Sequence, residues 1–137
     1  MINETCLMCR VVSGELDAPL VASNEEAIAF FDLHPRSPGH TLVVPRFHAA
    51  SLVELPEDKV GPLFELVRSV AQTLGETLDT DGMTIGINQG LGGQQSIPHL
   101  HVHLMPRFVE DGGASIHEVV HNPPTPAQQE LIKTLTP

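Results

Sequence analysis

Ile97-Pro98-His99-Leu100-His101-Val102-His103-Leu104-Met105 sets three histidines in alternation with aliphatic residues. Side chains on an extended chain point to opposite faces in turn. His99, His101 and His103 therefore share one face, and Leu100, Val102 and Leu104 the other. The aliphatic and β-branched filling, with Pro98 only at the start, predicts a strand. It presents three imidazoles, each able to serve as nucleophile, proton carrier or metal ligand near neutral pH. One ion cannot comfortably take all three, because the Cα atoms of His99 and His103 stand roughly 13 Å apart on a straight strand. A metal lies only about 2 Å from each nitrogen. Neighbouring pairs could chelate; the trio divides its roles.

Directly upstream lies Asn88-Gln89-Gly90-Leu91-Gly92-Gly93-Gln94-Gln95-Ser96. Its glycines let the backbone approach a ligand closely, and consecutive N–H groups can cup an anion. Asn88, Gln95 and Ser96 add side-chain donors. A Gly-rich connection alone is more often just a turn. Beside three histidines it points to phosphate held next to an imidazole, which is a competent nucleophile at phosphorus.

Further out, residues 4–12 read as a short helix ended at Ser13-Gly14. Leu20–Ser23 and Ala27–Asp32 read as strands joined by Asn24-Glu25-Glu26, and His40–Pro45 as a buried strand after a loop rich in turn residues. Residues 57–79 form the best helix, with Val60, Leu63, Phe64, Val67, Ala71, Leu74 and Leu78 on one apolar face. Pro62 must lie in its first turns or kink it. Met83–Asn88 is another strand, and a last helix opens at Thr125 with Pro126 in its first position. The class is α+β, with a mostly antiparallel sheet, one long helix and short terminal helices. Residues 1–110 carry the chemistry, and 111–137 are a loop and short helix completing the same domain.

With 137 residues and 41% hydrophobic content, the chain has enough material for one real core. A formal charge of −10 argues against an extended nucleic-acid or anionic-membrane footprint, since both partners are polyanions. A small anionic ligand needs only a local pocket. Met1-Ile2-Asn3-Glu4 carries no basic stretch leading into an apolar run, so the expectation is a cytoplasmic protein without a signal peptide.

His-Leu-His-Val-His-Leu-Met resembles the signature of the histidine triad family, in which three histidines alternate with apolar residues. Cys6-Leu7-Met8-Cys9 with Ser13-Gly14-Glu15, Phe30-Phe31-Asp32 and Ser37 to Pro45 are similar to further family segments. Asn88 has the family's spacing to His99, and Gln95-Ser96 stand where its Gln-Ser/Thr pair is expected. Residues 4–107 carry the resemblance, and Gln94 replaces an expected glycine.

The resemblance implies a nucleotide hydrolase or transferase that attacks the α-phosphate of a phosphoramidate or dinucleoside polyphosphate. In it His101 is the nucleophile, and a covalent nucleotidyl-histidine releases a nucleoside monophosphate. His103 contacts the phosphate and assists the leaving group, and Ser96 and Gln95 hold oxygens, with Asn88 nearby. Asp32 accepts from ribose hydroxyls, His40 supports the triad, and Leu7, Met8, Val11, Phe30, Leu33 and Leu42 flank the base. A purine nucleotide or conjugate is the implied partner. A homodimer built on 57–79 and 83–88 is implied as well.

Cys6-x-x-Cys9 admits three readings, which are zinc ligation, a redox pair or plain burial. No thioredoxin-like pattern surrounds it, so redox ranks last. By resemblance, His48 and His99 would complete a closed, structural Cys₂His₂ zinc site, and His99 would then be a ligand and not a free acid–base group. Two other classes stay open at this level: a nucleotide-binding regulatory protein with little turnover, and a metal-handling protein. Arg107 reads as a surface arginine or an attractor of phosphate, and His34 as a solvated loop residue.

Overall fold

The computed structural model describes residues 3–136. Five strands, β1 (Leu20–Ser23), β2 (Ala27–Phe31), β3 (Thr41–Pro45), β4 (Gly82–Gly86) and β5 (Val102–Arg107), form one sheet. Every pairing is antiparallel, in the order β1-β2-β3-β5-β4. Three helices accompany them: α1 (Leu7–Val12), α2 (Glu57–Leu78) and α3 (Pro126–Lys133). The architecture is the α+β class that the sequence predicts.

Alternation along the strands builds two cores. Ala27, Ala29, Val43, Val102 and Leu104 meet Leu63, Leu66, Val67, Val70 and Leu74 of α2. On the opposite face Ile28, Phe30, Leu42 and Val44 pack with Cys6, Met8 and Cys9. The helix-facing side of β2 is alanine, so α2 can lie close to the sheet. The predicted helix stripe is rotated in one respect. Phe64 is 37% exposed, and Leu66 and Val70 are buried instead. At about 100° per residue, Phe64 falls at the rim of an arc centred near Leu63 and Leu74. Pro62 lies inside α2, and its carbonyl accepts from Asn24 Nδ2 at 2.9 Å, tying the helix to the β1–β2 turn.

The histidine strand is shorter than its sequence pattern. The ladder with β3 opens at Val43 opposite Val102, so of the three histidines only His103 lies within β5. Pro98 has no N–H to offer. The His99 N–H bonds the Ile97 carbonyl at 2.8 Å, and the Leu100 N–H bonds the Ala49 carbonyl at 2.7 Å. Those amides are spent outside the sheet. Side-chain alternation survives: Leu100, Val102 and Leu104 all enter the α2 core. Other boundaries tighten too. α1 starts at Leu7, because Cys6 caps it, and β4 ends at Gly86 and not at Asn88.

At the end of β5, Arg107 turns the chain back on itself. Its Nε and Nη2 donate to the Asp111 carboxylate at 2.7 and 3.1 Å, and its Nη1 donates to Thr84 Oγ1 at 2.9 Å and to the Ala114 carbonyl at 2.8 Å. That hydrogen-bonded guanidinium holds the Asp111 carboxyl well below the usual carboxylate range. Arg107 is thus an anchor. Past it, a 3₁₀ turn at Ile116–Glu118 and α3, with a Thr125–Gln128 capping box, bury no residue. Among the described residues, no helix is long and apolar enough to cross a membrane.

Candidate functional site

Cys6 caps α1, and the next turn brings Cys9 beside it, so both sulfurs face the sheet below. Cys6 Sγ lies 3.4 Å from His99 Nδ1, and Cys9 Sγ lies 3.5 Å from the same nitrogen and 3.4 Å from His48 Nδ1. The four donor atoms all sit within 4.8 Å of one another. With zinc–sulfur and zinc–nitrogen bonds of ordinary length, a tetrahedral site has sulfur–nitrogen edges of about 3.6 Å. The observed spacings match.

The tautomer of His99 fits as well. Its Nε2 lies 2.9 Å from the Pro45 carbonyl oxygen, which can only accept. The proton is therefore on Nε2, and the Nδ1 lone pair faces the two sulfurs. A histidine ligand held by a second hydrogen bond to a carbonyl is the usual arrangement around zinc. Burial pulls His99 down to about 4, so its ring is neutral, as a ligand must be. Burial also pushes the Cys9 thiol up, and a divalent cation is what would draw off its proton. Asn3 N–H points at Cys9 Sγ from 3.3 Å, and Cys9 N–H at Cys6 Sγ from 3.5 Å. The residues present therefore fit a structural zinc ion.

Two residues along, the same peptide serves a different environment. His101 Nδ1 lies 2.8 Å from the His99 carbonyl oxygen. A carbonyl accepts only, so Nδ1 carries the proton and Nε2 keeps a free lone pair. The ring of His103 lies against it at a centroid separation of 5.1 Å. On the far side His40 Nε2 is 3.0 Å from His103 Nδ1. His40 Nδ1 accepts the Arg36 N–H at 3.1 Å, so Nε2 is the protonated nitrogen of His40. It donates to His103 Nδ1, which leaves the His103 proton on Nε2. The His99 carbonyl thus gives His101 a bare nitrogen, and the separate Arg36–His40–His103 chain gives His103 a donor.

Asp32 closes the group, with Oδ2 3.6 Å from His40 Nε2 and Oδ1 accepting the His34 N–H at 2.9 Å. Asp32, His40 and His103 are close enough together to consider as a cation site. The His40 tautomer opposes it, since Nε2 is a donor there and metal-binding imidazole needs that nitrogen bare. Burial lowers His103 to about 4, helped by the neighbouring rings of His101 and His40 and opposed by Asp32. His40 is lowered for the same first reason. Gly39 is what lets His40 arrive here. It takes φ +81°, and a Cβ on it would stand 2.5 Å from Leu78 Cδ1.

A cavity of about 400 Å³ runs between α1 and the sheet, lined by Leu7, Met8, Val11, Phe30, Leu33 and Leu42, with Asp32 at its edge. Every apolar residue singled out in the sequence for the base borders it. So do Leu16, Asp17, Ala18, His34 and Ile97, none of which the sequence pointed to for the base. No local signal marks them, since Leu16 to Ala18 reach the cavity only because the chain doubles back after α1. A larger hollow of about 680 Å³ opens toward α2 and carries neither His101 nor His103.

The glycine loop differs from expectation in one donor. Gln95 Nε2 gives its protons to the Ala50 and Ile97 carbonyls, both at 2.8 Å, and Oε1 accepts the Gly90 N–H at 2.9 Å. Its amide holds the loop together. Ser96 is exposed at the loop end, and Asn88 borders a small cleft with His103. Gln94 adopts φ +59°, the left-handed conformation that a glycine would take without cost.

The model of the HIT domain matches residues 13–110. The adenosine 5′-monophosphoramidase of Schizosaccharomyces pombe is 30% identical over 131 residues, 96% of this chain and 92% of that protein. A solved structure from Streptococcus mutans superposes with a TM-score of 0.84 at 31% identity, covering 97% of this chain and 84% of the other. A zinc-bound histidine triad family protein from Mycobacterium smegmatis superposes with a TM-score of 0.71 at 27% identity, covering 95% and 91%.

Proposed function

Since the chain belongs to the histidine triad (HIT) family, we propose that it is a nucleotide hydrolase working through a covalent nucleotidyl-histidine on His101. The observation that carries this reading is a pair of hydrogen-bond sets: the His99 carbonyl leaves His101 Nε2 unprotonated, and the Arg36–His40–His103 chain makes the adjacent His103 a donor. The phosphoramidase activity of the fission-yeast relative makes adenosine phosphoramidates the natural first substrates.

In this reading the base lies in the α1 cavity, and Asp32 Oδ2 accepts from the ribose. Asn88 and Ser96 border the phosphate, and Gln95 shapes the loop that holds it. As an anionic phosphate enters, its charge favours the protonated His103 ring. His101 Nε2 attacks the α-phosphorus, a P–N bond to the imidazole forms, and the bond to the leaving group breaks. The leaving nitrogen or oxygen takes its proton from His103. Water then cleaves the bond between phosphorus and His101, its spare proton returns to His103, and a nucleoside monophosphate departs. Cys6, Cys9, His48 and His99 hold one zinc ion, which fixes α1 against the sheet and contributes folding energy.

The free edge of β4, with Ile85 at 43% exposure, supports a homodimer through this strand and the neighbouring α2. Residues 111–137 complete the same domain. Native mass spectrometry after brief mixing with an adenosine phosphoramidate tests all of this together. The expected result is a transient adduct and released AMP in the wild type, neither in His101→Ala, and one zinc per chain in a dimer. Nucleotide retained by both proteins with no adduct and no AMP would replace the enzyme with a nucleotide sensor.

A further inference from the structure

The cavity assigned to the base has an apolar lining except for Asp17, Asp32 and His34. Asp32 Oδ1 already accepts the His34 N–H at 2.9 Å, and Oδ2 is the oxygen left for the ribose. His34 is exposed in the loop after β2. Its neutral ring offers one donor and one acceptor, so it suits any base about equally. Asp17 differs from both. Among the described residues no ion pair occupies its carboxylate.

The backbone around Asp17 is nonetheless fixed on both sides. The Leu16 N–H bonds the Arg10 carbonyl at 3.0 Å, which turns the chain back against α1. The Phe31 N–H bonds the Pro19 carbonyl at 3.0 Å, which lays the same segment along the end of β2. Asp17 falls between these two ties, so the rim of the cavity carries a carboxylate at a set position. A carboxylate accepts through two oxygens and donates nothing. The base that complements it presents two neighbouring N–H donors. Guanine does so with N1–H and its 2-amino group, alone among the common bases. Adenine sets the acceptor N1 beside its 6-amino donor, so one carboxylate oxygen would face a lone pair. Hypoxanthine keeps N1–H and lacks the amino group. The volume of about 400 Å³ has room for a purine.

We propose that Asp17 reads the base, and that the preferred nucleotides carry guanine. The inference rests on the proposed placement of the nucleotide, with its base in the α1 cavity, and it names that base. Asp17 touches no reacting atom, so its effect falls on binding and shows in KM more than in kcat.

The test pairs affinity with turnover. Calorimetry gives the Kd of GMP, IMP and AMP, and the phosphoramidates of the same three nucleotides, which share one leaving group, give kcat/KM. The expected preference for GMP over AMP is about tenfold in each, the low end for a hydrogen bond to a charged group, with IMP between. Asp17→Ala brings the ratio toward one. Asp17→Asn moves it further toward adenine, because an amide pairs its own donor and acceptor with N1 and the 6-amino group. Losing a negative charge near a phosphate ligand strengthens binding of all three alike, so the ratio is what bears on Asp17. The position is exposed, so neither variant disturbs the core. Equal affinities in the wild type, or a guanine preference that survives Asp17→Ala, would overturn the role of Asp17 while leaving the hydrolase standing. A guanine preference lost in Asp17→Ala, with no phosphoramidate cleaved, would support Asp17 and remove the hydrolase. Binding of none of the three would remove the nucleotide reading, and the role of Asp17 with it.

Discussion

The cluster of Cys6, Cys9, His48 and His99 and the group of His101, His103, His40 and Asp32 draw on the same five-residue stretch, yet they are built to opposite ends. Around His99 four donors converge with no free direction, and the ring is fully buried. Around His103 the donors run in line from Arg36 through His40, and the space beside His103 is a cleft bordered by Asn88 and the tail. The first arrangement can only hold something still. The second orders protons and leaves room for a reactant. What separates them is the partner of each ring: sulfurs for His99, a peptide carbonyl for His101, another imidazole for His103. His99 belongs to both groups, since its side chain faces the cysteines while its carbonyl orients His101.

That contrast can be broken most sharply at His101. Replacing it by alanine should cut AMP release from an adenosine phosphoramidate by at least about 10³-fold. Zinc content and AMP binding, followed by elemental analysis and calorimetry, should persist. On the closed side, zinc at a thousandfold excess over its Kd should raise the unfolding free energy by about 4 kcal/mol. Cys9→Ser should abolish that gain in denaturant titrations, and a gain that survives the substitution would move the metal elsewhere.

His40→Phe keeps an aromatic ring and removes the donor to His103. Steady-state kinetics should show kcat lower by about 10²-fold, the low end for a positioned acid–base group, with KM changed far less. Equal losses in both would mean that His40 merely fills space. The buried histidines also set a pH dependence. His103 is held at about 4 when folded, against the ordinary 6.5, so between these values the unfolded chain binds more protons. Stability at pH 7 should therefore fall as the pH drops through that window and level off below it. His103→Gln should flatten the fall in a thermal-unfolding series. The smallest effect belongs to Gln94, whose left-handed backbone favours glycine. Gln94→Gly should raise stability by up to about 1 kcal/mol, measured by urea unfolding.

Local pattern made much of this legible. Alternation assigned Leu100, Val102 and Leu104 to one core, and helical spacing put Leu63, Val67 and Leu74 on the buried side of α2. Family resemblance, not local pattern, named the residues for the base and the partners of the Cys-x-x-Cys pair; the former line one cavity and the latter, His48 and His99, lie beside the sulfurs. What the sequence hid depends on distant partners. Nothing near Leu100 says that its amide will bond to Ala49, and that bond is why the ladder waits until Val102. Gln95 looks like a free donor until Ala50 arrives to use it. Leu66 and Val70 look no more buried than Phe64 until the sheet fixes the rotation of the helix. Asp17 and Ile97 reach the cavity only by the path of the folded chain.

The Arg107–Asp111 clamp has a consequence for how such a chain can diversify. It sets where the tail begins, and the residues after Gly113 border the sheet through Ile116 and Val119 without burying a side chain. A segment joined in this way can be lengthened, shortened or exchanged between homologues without repacking a single strand. Chimaeras cut at Gly113 should therefore fold as readily as their parents. A new surface beside the sheet becomes accessible by grafting, with the histidine cluster inherited unchanged.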